Sequence, residues 1–144
     1  MSKQVTLKCG SLDVSVMGYQ FPKNTGYWDG NWLVETARCG QEGRFAKRVA
    51  NPCLRTTEFA EFLGDLRTFE AGLTDVVELR TLEPYVGLKI VREPDALIGT
   101  AVVAEKSYKD AQAVTFPVDD IEIAQLMDAV ACVLDAFPIR GKQP

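Results

Sequence analysis

Thr56-Thr57-Glu58-Phe59-Ala60-Glu61-Phe62-Leu63-Gly64-Asp65-Leu66-Arg67-Thr68-Phe69-Glu70-Ala71-Gly72-Leu73 decides the fold, because its apolar residues recur every three or four positions. That spacing gathers Phe59, Phe62, Leu63, Leu66, Phe69 and Leu73 on one face of a helix of about sixteen residues. Thr56 or Thr57 can cap its start and Gly72 its end, while Gly64 in the middle costs about 1 kcal/mol relative to alanine. The segments before it read with period two. Val5, Leu7 and Cys9 alternate with Thr6 and Lys8, then Leu12, Val14 and Val16 do the same after Gly10-Ser11, as in a hairpin. A third strand is expected across Trp32 to Cys39, closed by Gly40-Gln41-Glu42-Gly43, and a fourth from Arg44 to Ala50, ended by Asn51-Pro52.

Beyond the helix the pattern repeats. Strand-like runs cover Val76 to Leu82, Tyr85 to Arg92, Leu97 to Glu105 and Gln112 to Val118, with Ser107 to Asp110 as the last turn. A second helix starts at Asp119, which has an acid three residues on at Glu122; it buries Ile123, Leu126, Met127, Val130, Val133, Leu134 and Phe137 and stops at Pro138. The expectation is an α+β fold: a mainly antiparallel sheet of about eight strands and two amphipathic helices, ordered ββββα-ββββα. One domain, 1–144, accommodates this, with pseudo-equivalent halves 1–73 and 74–144.

The chemistry is thin. There is no histidine, which removes Ser-His and Cys-His nucleophile pairs, histidine-ligated metal and the commonest base near neutral pH. Cys9, Cys39, Cys53 and Cys132 form no Cys-x-x-Cys pair, so reduced thiols are expected, with Cys9 a small buried hydrophobe. No glycine-rich phosphate loop opens either helix, and Asp29 with Asn31 lacks EF-hand spacing. No cofactor or metal site is therefore expected, and an enzyme would have to work through carboxylate, lysine or tyrosine chemistry. Neither a leader-like apolar run near Met1 nor a spanning segment is present, which points to the cytoplasm.

Charge is unevenly placed. Residues 1–55 hold eight Lys/Arg against four Asp/Glu, and residues 56–144 hold eight against sixteen. An acidic half repels phosphate backbones and attracts a basic protein partner. Glu58, Glu61 and Asp65 share the outer face of the first helix; Glu122, Asp128 and Asp135, with Gln125 and Cys132, share that of the second. Both sets are expected to be solvated contact faces, so reversing Glu58, Glu61 and Asp65 to lysine should weaken partner binding without unfolding the chain. Lys23, Arg44, Lys47 and Arg48 form the rival, basic surface.

Tyr27-Trp28-Asp29-Gly30-Asn31-Trp32-Leu33 places both tryptophans around an Asp-Gly turn signal. Asp-Gly tolerates the positive φ of a tight turn. Trp32 is expected in the core, and Trp28, with Asp29, at the rim as a contact residue.

With Tyr19-Gln20-Phe21-Pro22 before it, this motif resembles the WapI-type immunity proteins, as do Leu54-Arg55-Thr56-Thr57-Glu58-Phe59, Val118-Asp119-Asp120 and Phe137-Pro138-Ile139-Arg140-Gly141. The chain departs from that family at Arg92-Glu93-Pro94-Asp95-Ala96-Leu97-Ile98-Gly99, where members have a glycine-rich, histidine-containing stretch. The resemblance implies a non-catalytic bacterial protein, a monomer or homodimer, that neutralises the C-terminal domain of a contact-dependent toxin, such as a nuclease. It implies no nucleic-acid or membrane partner. A housekeeping interaction module and a small-ligand binder with a pocket between sheet and helices remain open as alternatives.

Overall fold

The computed structural model describes residues 3–41, 44–49, 53–104, 109 and 111–144; for residues 41, 44–49 and 112 only the backbone is described. β1 (Val5–Cys9), β2 (Leu12–Tyr19), β3 (Trp32–Gln41) and β4 (Arg44–Val49) form an antiparallel meander. A two-residue β5 (Leu54–Arg55), not foreseen from the sequence, adds to β3 through Trp32↔Arg55 and Leu33↔Leu54. α1 (Thr56–Glu70) follows directly. The second half gives β6 (Val76–Leu79), β7 (Val86–Arg92), β8 (Leu97–Val103) and β9 (Gln112–Val118) in the same sequential order, then α2 (Asp120–Ala136). The fold is thus α+β in the order expected, with the strands divided into two sheets. The turns foreseen at 42–43 and 51–52, the strand ends at Ala50 and Glu105, and most of the turn from Ser107 to Asp110 lie outside the described residues.

Alternation decides which face of each sheet is buried. Leu7 and Cys9, Leu12, Val14 and Val16, then Leu33, Glu35, Ala37 and Cys39 point inward from the first sheet. Val77 and Leu79, Val86, Leu88 and Ile90, Leu97, Ala101 and Val103, and Val114, Phe116 and Val118 do so from the second. Together with Phe59, Phe62, Leu66 and Phe69 of α1 and Ile123, Leu126, Val130 and Val133 of α2, they form one continuous hydrophobic cluster. The halves interlock through their helices: α1 packs beside β6 and α2 beside β1, so each helix covers the first strand of the other half. Phe116 lies so close over Gly10 and Gly99 that a Cβ at either glycine would sit within 2.4 Å of its ring.

The helix starts differ in chemistry. Asp119 caps α2 by accepting from the Glu122 N–H at 2.8 Å, while the Glu122 carboxylate turns away to accept from the Gly10 N–H at 3.2 Å. On α1 neither threonine is the cap. Arg55 holds the extended cap position, and Glu58 reaches back to its N–H at 2.9 Å. Gly64 is exposed and does not interrupt α1.

Candidate partner-binding surfaces

The tryptophan loop is built around a residue that sequence reading passed over. Asn31 is 0% exposed, and its side chain makes four hydrogen bonds. Its Nδ2 donates to the carbonyls of Tyr27 (2.7 Å) and Arg140 (3.1 Å). Its Oδ1 accepts from the Thr56 hydroxyl (2.7 Å) and the Arg140 N–H (2.8 Å), and its own carbonyl accepts from the Thr56 N–H at 3.0 Å. One amide thereby ties the loop to the start of α1 and to the chain beyond α2. Because the start of α1 and the end of α2 meet here, while Phe69 and Glu70 lie with Asp120 and Ile123 at the opposite end, the helices run antiparallel.

Arg140 completes the node. Its Nη1 donates to the carbonyls of Phe21 (3.2 Å), Pro22 (2.9 Å) and Asn24 (2.9 Å), and its guanidinium lies 3.4 Å from the centre of the Tyr19 ring. That stacking is a cation–π contact. The Tyr19 hydroxyl donates to the Pro138 carbonyl, and its ring meets Phe137 edge-on at 5.6 Å. Burial raises the Tyr19 pKa, and the Arg140 charge works against that rise.

Two expectations for the loop are corrected here. Gly30 does not have the positive φ that a tight Asp-Gly turn uses; among the described glycines only Gly10, Gly72 and Gly141 do. Glycine is required at 30 by close approach instead, since a Cβ would lie 2.3 Å from the Gly26 carbonyl oxygen and 2.6 Å from that of Asn24. Trp32 is only half-buried. With Leu33 and Glu35 facing inward, strand alternation turns Trp32 to the outer face, where the Arg55 guanidinium lies 5.4 Å from its ring centre. Trp28, expected at the rim, is 60% exposed and supported on one side by Tyr27 at 5.1 Å, edge to face; Asp29 is exposed beside it.

Of the carboxylates expected on one solvated face, Glu58 is not there. It is buried and committed: Oε1 accepts from the Arg55 N–H, and Oε2 accepts from the Arg55 guanidinium at 3.1 Å and from the Leu82 N–H at 2.6 Å. Its place at the third helical position, where a carboxylate can reach the free N–H groups of the first turn, explains the difference. The expected harmless reversal of Glu58, Glu61 and Asp65 therefore fails at Glu58. Glu58→Ala is expected to cost about 2 kcal/mol by removing a buried carboxylate that serves two part-buried N–H groups and the Arg55 guanidinium, measurable by chemical denaturation. Glu61 is exposed, and Asp65 is half-exposed and paired with Arg80 at 3.2 Å. On α2, Asp128 and Asp135 are exposed and Glu122 is half-buried against Gly10. No Lys or Arg occurs from Asp120 to Ala136, so every charge on the outer side of α2 is negative, interspersed with exposed Ile121, Ala124, Gln125 and Cys132. Of the rival basic set, Lys23 is exposed in the loop before Trp28, and the side chains of Arg44, Lys47 and Arg48 lie outside the described residues.

Between the sheets and helices, Phe59, Leu66, Ile123 and Val130 belong to the continuous core, and two small clefts lie at its margin, about 290 Å³ between α1 (Asp65, Thr68) and β6 (Val76, Glu78) and about 280 Å³ among Phe69, Glu70, Arg92, Asp120 and Ile123. A larger concavity of about 590 Å³ lies on the outer face of the first sheet, lined by Thr6, Lys8, Asp13, Ser15, Thr36 and Arg38.

Glu35 is the other residue that sequence reading missed. Continuing the inward series Leu33, Glu35, Ala37, it is 0% exposed; its Oε1 accepts from the Cys53 N–H at 3.0 Å and the Cys53 thiol at 2.9 Å, and its Oε2 has no partner among the described residues. Burial raises its pKa to about 7. The thiols of Cys53 and Cys9 are also pushed up by burial, Cys9 to about 12, as expected of a packed rather than a reactive cysteine.

Comparison with known proteins adds three findings. No curated protein matches the chain. Among solved structures, WHY3 from Arabidopsis thaliana superposes with a TM-score of 0.50 at 15% identity, over 93% of this chain and 87% of that one, a likeness of fold alone. Looser likenesses are to MRP1/MRP2 of Trypanosoma bruciei (TM-score 0.45, 16% identity, 93% and 84% of the two chains) and to a guideRNA-binding protein complex bound to a gRNA (0.48, 15%, 94% and 91%). The family model of the immunity protein WapI-like family matches residues 6–138, which takes in the tryptophan loop, both helices and the Asn31 contacts with Tyr27 and Thr56. The chain belongs to the WapI-like immunity protein family.

Proposed function

We propose that this protein is a non-catalytic cytoplasmic immunity protein that binds the C-terminal domain of a contact-dependent toxin, a nuclease, and blocks it stoichiometrically. Family membership supports a toxin partner. The observation that carries the nuclease reading is the acidic side of α2, where Asp120, Asp128 and Asp135 are exposed with no basic residue on the helix. A domain that handles nucleic acid presents cationic surface to phosphate, and an acidic helix layer both steers it in and competes for that surface.

Binding of the wild-type protein to the toxin domain encoded immediately upstream, measured by surface plasmon resonance, tests the reading. The double variant Asp128→Lys/Asp135→Lys should keep its fold and slow association roughly tenfold at low salt, with the gap closing at high salt. Unchanged association at low salt would remove the acidic helix from the interface. Nuclease activity of the toxin domain, and its loss on adding one equivalent of this protein, tests the chemistry.

A further inference from the structure

We propose that Trp28, Phe21 and Ile139 form a pre-set apolar platform that seats in an apolar pocket of the toxin domain, an inference that rests on the immunity reading above. Trp28 is 60%, Phe21 44% and Ile139 45% exposed, so each keeps a large apolar surface outside the core. Phe21 and Trp28 come from the loop between β2 and β3 and Ile139 from the chain beyond α2, and one node holds their backbones. Arg140, next to Ile139, donates to the Phe21 carbonyl; Asn31 bonds the carbonyls of both Arg140 and Tyr27, the neighbour of Trp28. The next residue, Gly141 (φ +71°), passes so near that a Cβ there would lie 2.6 Å from the Tyr27 nitrogen.

This arrangement has two consequences. First, the backbones under the three side chains are fixed before a partner arrives, by the buried amide of Asn31 and by the Arg140 guanidinium, whose Nη1 meets three carbonyls. Immobilising flexible side chains and loops is a main cost of association, and here much of it is met in folding. Second, the exposed part of the three side chains amounts to roughly 300 Å², the scale of a functional apolar patch on a monomer. A stable dimer buries about 800 Å² on each partner, so the platform is too small to hold a second copy by itself. It suits the anchor of a wider interface, in which a few large side chains carry most of the affinity and a charged surround sets the approach.

That surround is present. α2 runs into the platform, with exposed Asp135 two residues before Phe137 and Ile139 two after it. The end of the acidic helix and the platform are therefore joined by three residues of chain. The division of labour follows from their chemistry: charge at the rim acts on association rate, and the aromatic anchor acts on dissociation rate.

The test uses the full chain and the toxin domain encoded immediately upstream. Trp28→Ala should leave the unfolding midpoint unchanged and weaken binding at least ~30-fold, mostly through faster dissociation. Phe21→Ala and Ile139→Ala should each cost roughly five- to tenfold. Wild type that binds while Trp28→Ala stays within about threefold of it overturns the platform and leaves the immunity reading standing. Wild type that does not bind overturns both. A wild-type dimer that Trp28→Ala converts to monomer places a second copy on the patch and overturns the toxin as its occupant.

Discussion

Asn31→Ala is expected to lower the thermal midpoint by roughly 10 °C, the largest effect of any single polar substitution in the chain. The side chain's four hydrogen bonds run to groups with no other hydrogen-bond partner among the described residues: the Thr56 hydroxyl, the Arg140 N–H, and the Tyr27 and Arg140 carbonyls. A buried group stripped of its partner costs about 1–3 kcal/mol. Thr56 is fully buried and takes its full share, whereas the segment around Arg140 is partly exposed and can recruit water, so the total is about 3–5 kcal/mol rather than the sum of four maxima. For a domain of this length each kcal/mol moves the midpoint by about 2–4 °C. Asn31→Asp should be nearly as damaging, because it keeps the acceptor for Thr56 and sets a carboxylate oxygen against two carbonyls. A calorimetric midpoint within about 3 °C of wild type for Asn31→Ala would falsify the view that this amide clamps loop, helix and tail. The loss should reach binding too, since the platform stands on the same node.

Glu35→Gln should make the protein more stable at pH 8 and leave it unchanged near pH 4. In the folded chain the Glu35 carboxyl is buried, with one oxygen unpartnered among the described residues, and burial raises its pKa to about 7 from the ordinary 4.5. A group whose folded pKa is raised holds its proton more tightly in the native state. The stability this gives is fully present below pH 4.5 and declines as pH rises through about 7, where the native carboxyl must either ionise in an apolar site or break its contacts. At 1.36 kcal/mol per pKa unit the decline is about 3 kcal/mol. Glutamine keeps an acceptor for the Cys53 N–H and thiol, carries no charge, and so removes the slope between pH 4.5 and 7. Denaturant midpoints measured across that window, with parallel pH dependence in wild type and variant, would show that Glu35 is not the group responsible.

Neither effect is announced by the sequence, in whose reading Asn31 figures only beside Asp29 as an oxygen without EF-hand spacing and Glu35 not at all. Asn31 stood inside the motif that attracted notice for its tryptophans, and Asp-Gly offered a local account of the turn. Its role depends on Arg140, more than a hundred residues away, and no local pattern reports a partner at that distance. Glu35 was detectable in principle: it occupies an inward position of β3 between Leu33 and Ala37, where alternation calls for an apolar residue. Glu58 failed the other way. Helical spacing put it with Glu61 and Asp65, but spacing treats all turns alike, and the first turn has free N–H groups that draw a carboxylate inward.

What the sequence determined by itself was everything that rests on local periodicity and on breakers. The order of four strands and a helix twice over, the antiparallel pairing implied by short turns, the apolar stripes of both helices and the acidic outer side of α2 all follow from neighbours within a few positions. The segments that mark the family were legible for the same reason. Only the tertiary structure decided that the strands divide into two sheets, that each helix covers the other half's first strand, and that the tryptophan loop, the start of α1 and the chain beyond α2 converge on one buried amide. Those outcomes depend on which distant surfaces fit together and which buried polar groups find partners. Such matching is a property of the packed whole, and a one-dimensional pattern carries no measure of it.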